Sequence, residues 1–232
     1  MSTEYAGYIE ADPIRNQLHY PHVLRSLGDV KGKSILDVGC GNGRLDEILA
    51  ARDARVIAYD KAPNLIQIAR RQAEQSGSDI RYLVADPTNI ELPEQFDAAV
   101  SVMVLPYAPD PHYLGTFFES TNRALKKDGS FISVVLNPNF TAFDQLIANR
   151  VFKRWGGNQV EVQFLSPKDG AMMMNATLGQ FNQEEYEAAA TRAGFSRIEW
   201  QLLMPIGETE ENAGFWKACK ELQPYSSLIV SR

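Results

Sequence analysis

Apolar residues recur along this chain with two distinct periods. Short apolar stretches at 35–38, 56–58, 80–85, 96–104 and 131–136 have the length and β-branched content of buried strands. Between them apolar residues return every three or four positions. Leu45, Ile48 and Leu49 form one such set, Leu65, Ile66, Ile68, Ala69 and Ala73 a second, and Leu114, Phe117, Phe118 and Leu125 a third. Each predicts a helix with one buried face. Strands alternating with helices predict a parallel α/β sheet covered on both faces. Asp110-Pro111 is a helix cap followed by proline in the first turn. Lys126-Lys127-Asp128-Gly129 predicts a turn that ends that helix, with its lysines in solvent.

Beyond residue 136 the pattern changes. Phe143, Leu146, Ile147 and Val151 predict an amphipathic helix ending near Trp155-Gly156-Gly157. Val160, Val162 and Phe164 then alternate with polar residues, and after Pro167-Lys168-Asp169-Gly170 the alternation resumes at Met172, Met174 and Ala176, which predicts a hairpin. The three consecutive methionines would give it an adaptable apolar surface. A helix from Asn182 or Gln183 to Ala193, a strand over 195–203, a short helix over 215–222 and a strand over 228–230 complete the chain. Upstream, Ile14, Leu18, His22 and residues 24–27 predict a helix interrupted near Pro21. No repeat or linker divides the chain, so residues 1–232 read as one domain with an N-terminal segment, 1–30, and an insertion, 137–180.

The 232 residues are enough for one α/β domain with a full core. Hydrophobic content of 44% and charged content of 22% are those of an ordinary globular protein. No apolar run approaches the ~18 residues of a membrane span, and the first residues lack the basic-then-apolar pattern of a secretory signal. A net charge of −6 argues against broad contact with nucleic-acid phosphates. Cys40 and Cys219 make no Cys-x-x-Cys and no disulfide framework, so a reducing, cytoplasmic setting is expected. His19 and His22 have no cysteine or acid near them in sequence. They read as packing or surface residues, as does His112, and no metal is expected.

The chemistry concentrates between Ser34 and Asp60. After the first strand the chain reads Asp37-Val-Gly39-Cys40-Gly41-Asn-Gly43-Arg44, and the second strand ends in Asp60. This is a βαβ unit able to hold a nucleotide-type ligand across the strand ends. Asp60 is placed to accept from ribose hydroxyls. A dinucleotide fingerprint needs glycine at the sixth position from Gly39, where Arg44 stands. Asp37 would repel a pyrophosphate but suits a ligand carrying positive charge.

These residues resemble motif I of the class I S-adenosylmethionine (SAM)-dependent methyltransferases. Asp86 at the third strand's end, the stretch 96–104 and the turn after the following helix match later motifs in order. The resemblance implies a Rossmann-like sheet of seven strands, mostly parallel with an antiparallel last strand. It also implies a lid from residues 1–30 and a cap from 137–180 over the acceptor. The cofactor-binding set it implies is Tyr8, Arg15, Asp37, Gly39, Cys40, Gly41, Asp60, Lys61, Asp86, Pro87, Thr88, Ser101 and Val102. In it Tyr8 and Arg15 cover SAM, Arg15 pairing with its carboxylate. Asp86 accepts from the adenine amino group. Pro87 has no N–H for the adenine ring, so that contact shifts to Thr88 or Asn89.

Leu105-Pro106-Tyr107 stands where similar enzymes often carry Leu-Glu-His, so a histidine base is missing there. Tyr107, Asn137, Asp144 and Trp155 are the candidate acceptor-side groups, none assigned as a base. The C-terminal half is similar in pattern to toxoflavin-synthase-type small-molecule methyltransferases, which implies a small, heterocyclic acceptor methylated on N or O in secondary metabolism. A monomer or homodimer is expected, with S-adenosylhomocysteine as the second product. Two other functions remain open at this point: a SAM-binding enzyme with other chemistry, and an NAD-type oxidoreductase.

Overall fold

The computed structural model describes residues 12–92, 95–166 and 168–232. A π-helical turn, Arg15–His19, leads directly into α1, Tyr20–Leu27. There follow β1 (Ser34–Val38), α2 (Arg44–Ala50), β2 (Arg55–Asp60), α3 (Pro63–Ser76), β3 (Ile80–Val84), β4 (Phe96–Val102), a 3-10 turn (Leu105–Tyr107), α4 (Pro111–Ala124) and β5 (Leu125–Leu136). The second half holds β6 (Leu146–Ile147), β7 (Arg150–Arg154), β8 (Gln159–Leu165), β9 (Met172–Gly179), α5 (Gln183–Arg192), β10 (Arg197–Leu202), α6 (Ala213–Leu222) and β11 (Tyr225–Ser231).

Seven strands form one sheet in the order β10-β11-β5-β4-β1-β2-β3. The five from β5 to β3 are parallel, and β11 lies antiparallel to both of its neighbours. The expected seven-stranded, mostly parallel sheet with an antiparallel last strand is therefore present. Because side chains alternate across a strand, the apolar runs bury both faces. Ile35, Val56, Ala58 and Val134 face a core shared with Leu18, Leu45, Ile66 and Trp216. Leu36, Ile57, Ala99 and Val135 face the opposite core with Phe118, Leu114 and Tyr186.

A second, antiparallel sheet, β6-β7-β8-β9, joins the first of these cores through Ile147, Phe152, Val160, Val162 and Leu178. It sits on the same side as the N-terminal helix. The expected β8–β9 hairpin is present, but in place of the helix expected from Phe143 to near Trp155 there is a tight hairpin of β6 and β7. Asp144 and Ala148 take left-handed φ of 60° and 55°, which a helix does not accommodate. Of the residues that suggested a helical stripe, Leu146 is 59% exposed and Ile147 is buried; Ile147 pairs with Arg150 of β7, whose buried Phe152 pairs with Val162 of β8. Met172 and Met173 point outward; Val162, Phe164, Ala176 and Leu178 face the interior cavity described below.

Two further local departures have plain causes. β5 begins at Leu125, and the chain steps from Leu125 to Ser130 while β4 steps only from Phe96 to Ala98, so Lys126-Lys127-Asp128-Gly129 forms a wide bulge within the strand. Lys126 donates to Asp97 (2.7 Å), which also accepts from Ser34 N–H (2.8 Å), so that lysine is an anchor rather than a solvated end. Near Pro21 the helix continues. Proline has no N–H for the carbonyl of Gln17 four residues back, and that carbonyl accepts from Ile206 N–H instead (2.8 Å).

Phe140 is the hinge between the two sheets. It is 2% exposed and meets Phe143 and Phe152 edge-to-face with centroids 5.4 and 5.0 Å away. Phe140→Ala is expected to destabilise the fold by about 3–5 kcal/mol in chemical denaturation with an unchanged m-value. A loss under about 1 kcal/mol would mean that the second sheet is not part of the cooperative core.

Candidate active site

The glycine loop is shaped by what crowds it. Gly39 and Gly43 have φ of 74° and 81°, in the left-handed region that favours glycine. A Cβ on Gly39 would lie 2.5 Å from the Val104 side chain, and one on Gly43 2.4 Å from the Tyr82 hydroxyl. The loop is tied to β2 at three points. Gly39 and Cys40 N–H both donate to the Tyr59 carbonyl (2.8 and 2.9 Å), and Gly41 N–H donates to Asp60 Oδ2 (3.0 Å). Asp60 Oδ1 accepts from Ala62 N–H at the start of α3 (2.8 Å). A carboxylate has about four lone-pair positions, so two bonds leave Asp60 capacity for a ligand.

An open cleft of about 1130 Å³ lies at the carboxyl ends of the central strands. Of the residues expected at the cofactor, Arg15, Asp37, Gly39, Cys40, Gly41, Asp60, Lys61, Pro87 and Val102 line it, together with the acceptor candidate Tyr107. Asp37 is 3% exposed, and burial, with Asp60 close by, pushes its carboxyl up to about 7 even though Asp46 donates to it. Asp46, with no exposure at all, is also raised, by burial and by Asp37. Neither Asp46 oxygen finds a hydrogen-bond donor. A proton held on Asp46 and shared with Asp37 satisfies both. Burial and the same acids also push the Cys40 thiol well up, so it is no nucleophile at neutral pH.

The remaining expected residues sit elsewhere. Asp86 stands at the cleft's rim between two lining residues, Ala85 and Pro87. Its carboxylate accepts from Tyr113 O–H (2.5 Å), Thr88 Oγ–H (2.7 Å) and Thr88 N–H (3.0 Å). Burial raises its pKa, but these bonds outweigh that and hold it below the usual carboxylate range. Thr88 thus supports Asp86 and does not reach the cleft wall. Ser101 is fully buried and bonds Ser133 between adjacent strands (2.6 Å). Asn137 locks a turn, accepting from Asn139 N–H and donating to the Gln223 carbonyl. Asp144 lies in the β6 approach, its N–H bonded to the Phe152 carbonyl. Trp155 is 62% exposed at the β7–β8 turn. Tyr8 lies outside the described residues.

A smaller second cavity adjoins the cleft and shares Arg15, Met103 and Tyr107 with it. Its far wall is aromatic: Phe152 and Phe164 from the second sheet and Tyr225 from β11. Arg150 also lines it, 3% exposed, bonded to Asp12 (2.5 Å) and stacked over Phe164 (4.9 Å). So does His19. Met103, between the two spaces, holds φ of 57°, a strained conformation for a methionine, and donates its N–H to the Val134 carbonyl (2.8 Å). Sequence reasoning missed His19, Arg150, Phe152 and Tyr225, along with Tyr20, Asn42 and Tyr113 in the main cleft. They come from separate elements and share no local motif. Among the described residues no group of three or more histidine, cysteine or acidic side chains could hold a metal ion.

The central strands and glycine loop match the family model for a methyltransferase domain over residues 35–129. The chain is 33% identical over 171 residues to the ubiquinone biosynthesis O-methyltransferase of Coxiella burnetii, covering 71% of this chain and 70% of that protein. It is 28% identical over 188 residues to the protein of the same name from Azorhizobium caulinodans, covering 79% and 72%. Its fold matches an S-adenosylmethionine-dependent methyltransferase from Clostridium acetobutylicum with a TM-score of 0.72 at 14% identity, over 98% of both chains. A cleft with a buried acid pair, a carboxylate at the second strand's end and Arg44 where a dinucleotide fingerprint needs glycine agrees with these matches. The chain belongs to the class I SAM-dependent methyltransferases, and SAM is its cofactor.

Proposed function

We propose that this enzyme methylates a small, flat acceptor seated in the second cavity, by direct displacement at the SAM methyl carbon. The observation that carries this reading is the position of that cavity. It shares Arg15, Met103 and Tyr107 with the cofactor cleft and is lined as well by Phe152, Phe164 and Tyr225. Its aromatic side chains, Phe152, Phe164 and Tyr225, offer faces suited to a planar ring. The sulfonium makes the methyl group electrophilic, so the protein's main task is to hold a nucleophile in line with the C–S bond. Such alignment contributes on the order of 7–11 kcal/mol. The curated relatives named above act as O-methyltransferases in ubiquinone biosynthesis by their names. That supports an oxygen acceptor here over the nitrogen heterocycle that the pattern of the C-terminal half implies.

In the main cleft, the same proposal gives Asp60 to the ribose hydroxyls, Asp86 to the adenine side, Arg15 to the carboxylate of the amino acid moiety and Asp37 to its ammonium. Asp37 is then the group whose protonation changes when SAM binds. Its folded pKa is raised to about 7, so below that pH it holds a proton that an incoming ammonium displaces. Affinity for S-adenosylhomocysteine is expected to rise with pH up to about 7 and then level off. Calorimetry in buffers of different ionisation enthalpy should detect proton release on binding below that pH. The absence of any released proton would remove Asp37 from the ammonium site. Asp60→Asn keeps the side chain's shape and removes the charge that accepts from Gly41. It is expected to weaken S-adenosylhomocysteine binding by about 1.5–3 kcal/mol, the worth of a charged hydrogen bond.

The acceptor side is tested by filling the second cavity. Ala176 lines it from β9. Ala176→Phe is expected to retain S-adenosylhomocysteine binding while abolishing methyl transfer to phenols, catechols and N-heterocycles, read as the gain of one methyl mass. Wild-type rates in that variant would place the acceptor elsewhere.

A further inference from the structure

The second cavity contains one polar group with no structural employment. His19 is 2% exposed, and neither of its ring nitrogens has a hydrogen-bond partner. A histidine that merely fills a core bonds its nitrogens, as His22 does with Ser26 Oγ at 3.5 Å. Leaving them bare is unfavourable. The His19 ring is nonetheless held firmly, edge-on to Tyr225 with centroids 4.5 Å apart, and it forms part of the cavity wall.

We infer that His19 is the proton acceptor for an acceptor hydroxyl on an aromatic ring, bound in the second cavity between Phe164, Phe152 and Met103. This rests on the reading of that cavity as the acceptor site. A neutral imidazole presents a lone pair to an O–H donor, which is what a hydroxyl nucleophile needs before attack. The groups facing His19 keep it neutral: burial first, then Arg150 from β7, Arg15 and His22 from its own helix. Asp12 sits behind Arg150 and Arg15, and Tyr225 and Tyr107 complete the ring of polar neighbours. The step balances as follows in atoms and charge. The hydroxyl proton passes to a His19 nitrogen, the oxygen pair forms the new O–CH3 bond, and the C–S bond breaks with its electrons going to sulfur. The sulfonium charge is lost as the imidazolium charge appears, so the total charge in the site is unchanged. The proton leaves to solvent with the methylated product. This supplies a base to a chain that lacks the histidine often found after the fourth strand.

His19→Phe keeps the ring against Tyr225 and removes both nitrogens. With catechol as the probe, the variant is expected to bind S-adenosylhomocysteine like wild type, to melt at the same or a higher temperature, and to lose about 10²–10⁴-fold in rate. The acid limb of the wild-type pH–rate profile should vanish with it. Aniline, matched in size but without the hydroxyl, should be methylated poorly by both forms. An unchanged catechol rate and pH profile in His19→Phe overturns the assignment, as does failure of wild type to methylate catechol. Ala176→Phe separates the two levels of the argument. If it blocks transfer while His19→Phe does not, the cavity stands and the base is wrong. If it does not block transfer, the cavity is wrong. Should His19→Phe fail to fold, the ring nitrogen chemical shifts of His19 in wild type decide the matter: no change on adding catechol in the presence of S-adenosylhomocysteine overturns the proposal.

Discussion

The structure depends on one short clamp, the binding of the loop after β1 to the end of β2. Three backbone N–H groups of the loop, on Gly39, Cys40 and Gly41, are taken up by the Tyr59 carbonyl and the Asp60 carboxylate. The same carboxylate starts α3 through Ala62. The clamp fixes where β1, β2, α2 and α3 meet, and so fixes the floor of the cleft. It works only because two positions carry no Cβ, one against Val104 and one against Tyr82. Val104 itself lines the cleft and leads into the turn that carries Tyr107, a residue shared with the second cavity, so a side chain at Gly39 would press on the segment that borders both spaces.

Three acids, Asp37, Asp46 and Asp60, converge beneath this loop, and like charges in a buried site cannot all ionise. A shared proton on Asp46 and Asp37 resolves the empty site. A cationic ligand resolves the occupied one. The cluster is thus stable as an acid pair, and on the proposed reading an incoming ammonium takes the place of the proton. The cleft's opposite rim works differently. Asp86 is kept ionised by Tyr113 and Thr88, so it offers a fixed acceptor where Asp37 offers a titrating one.

The cofactor half was legible because its chemistry is local in sequence. Asp37, Gly39, Gly41 and Asp60 lie within one βαβ unit, and strand-end geometry alone brings them together. Ser101 and Val102 divide by parity: Val102 lines the cleft, while alternation turns the Ser101 side chain into the sheet interior toward Ser133. Asn137 is taken up by a turn and Trp155 lies exposed, so neither lines the cleft or the second cavity. The helix expected from Phe143 to near Trp155 failed because apolar residues three and four apart also occur when a two-residue strand, a tight turn and a longer strand follow each other. For the second cavity the segments were legible as lid and cap but the individual residues were not, since the N-terminal segment, β7, β8, β9 and β11 each contribute only one or two of them.

That division follows from how the two halves are built. The seven-stranded sheet buries its apolar faces with helices and leaves its strand ends to the cofactor, so its residues are fixed by pattern. The second sheet shares a core with the N-terminal helix, and the cavity is the space where that shared packing stops short. Arg150 illustrates the consequence. It is buried by β7, neutralised by Asp12 ahead of the first helix, and stacked on Phe164 from β8. A lone charge buried there would be prohibitive, and the ion pair with Asp12 makes it tolerable. The pair also links the second sheet to the segment that carries Arg15 and His19. Asp12 meets Arg15 as well (3.8 Å), so one buried carboxylate ties β7 to the N-terminal segment at a point remote in sequence from the glycine loop.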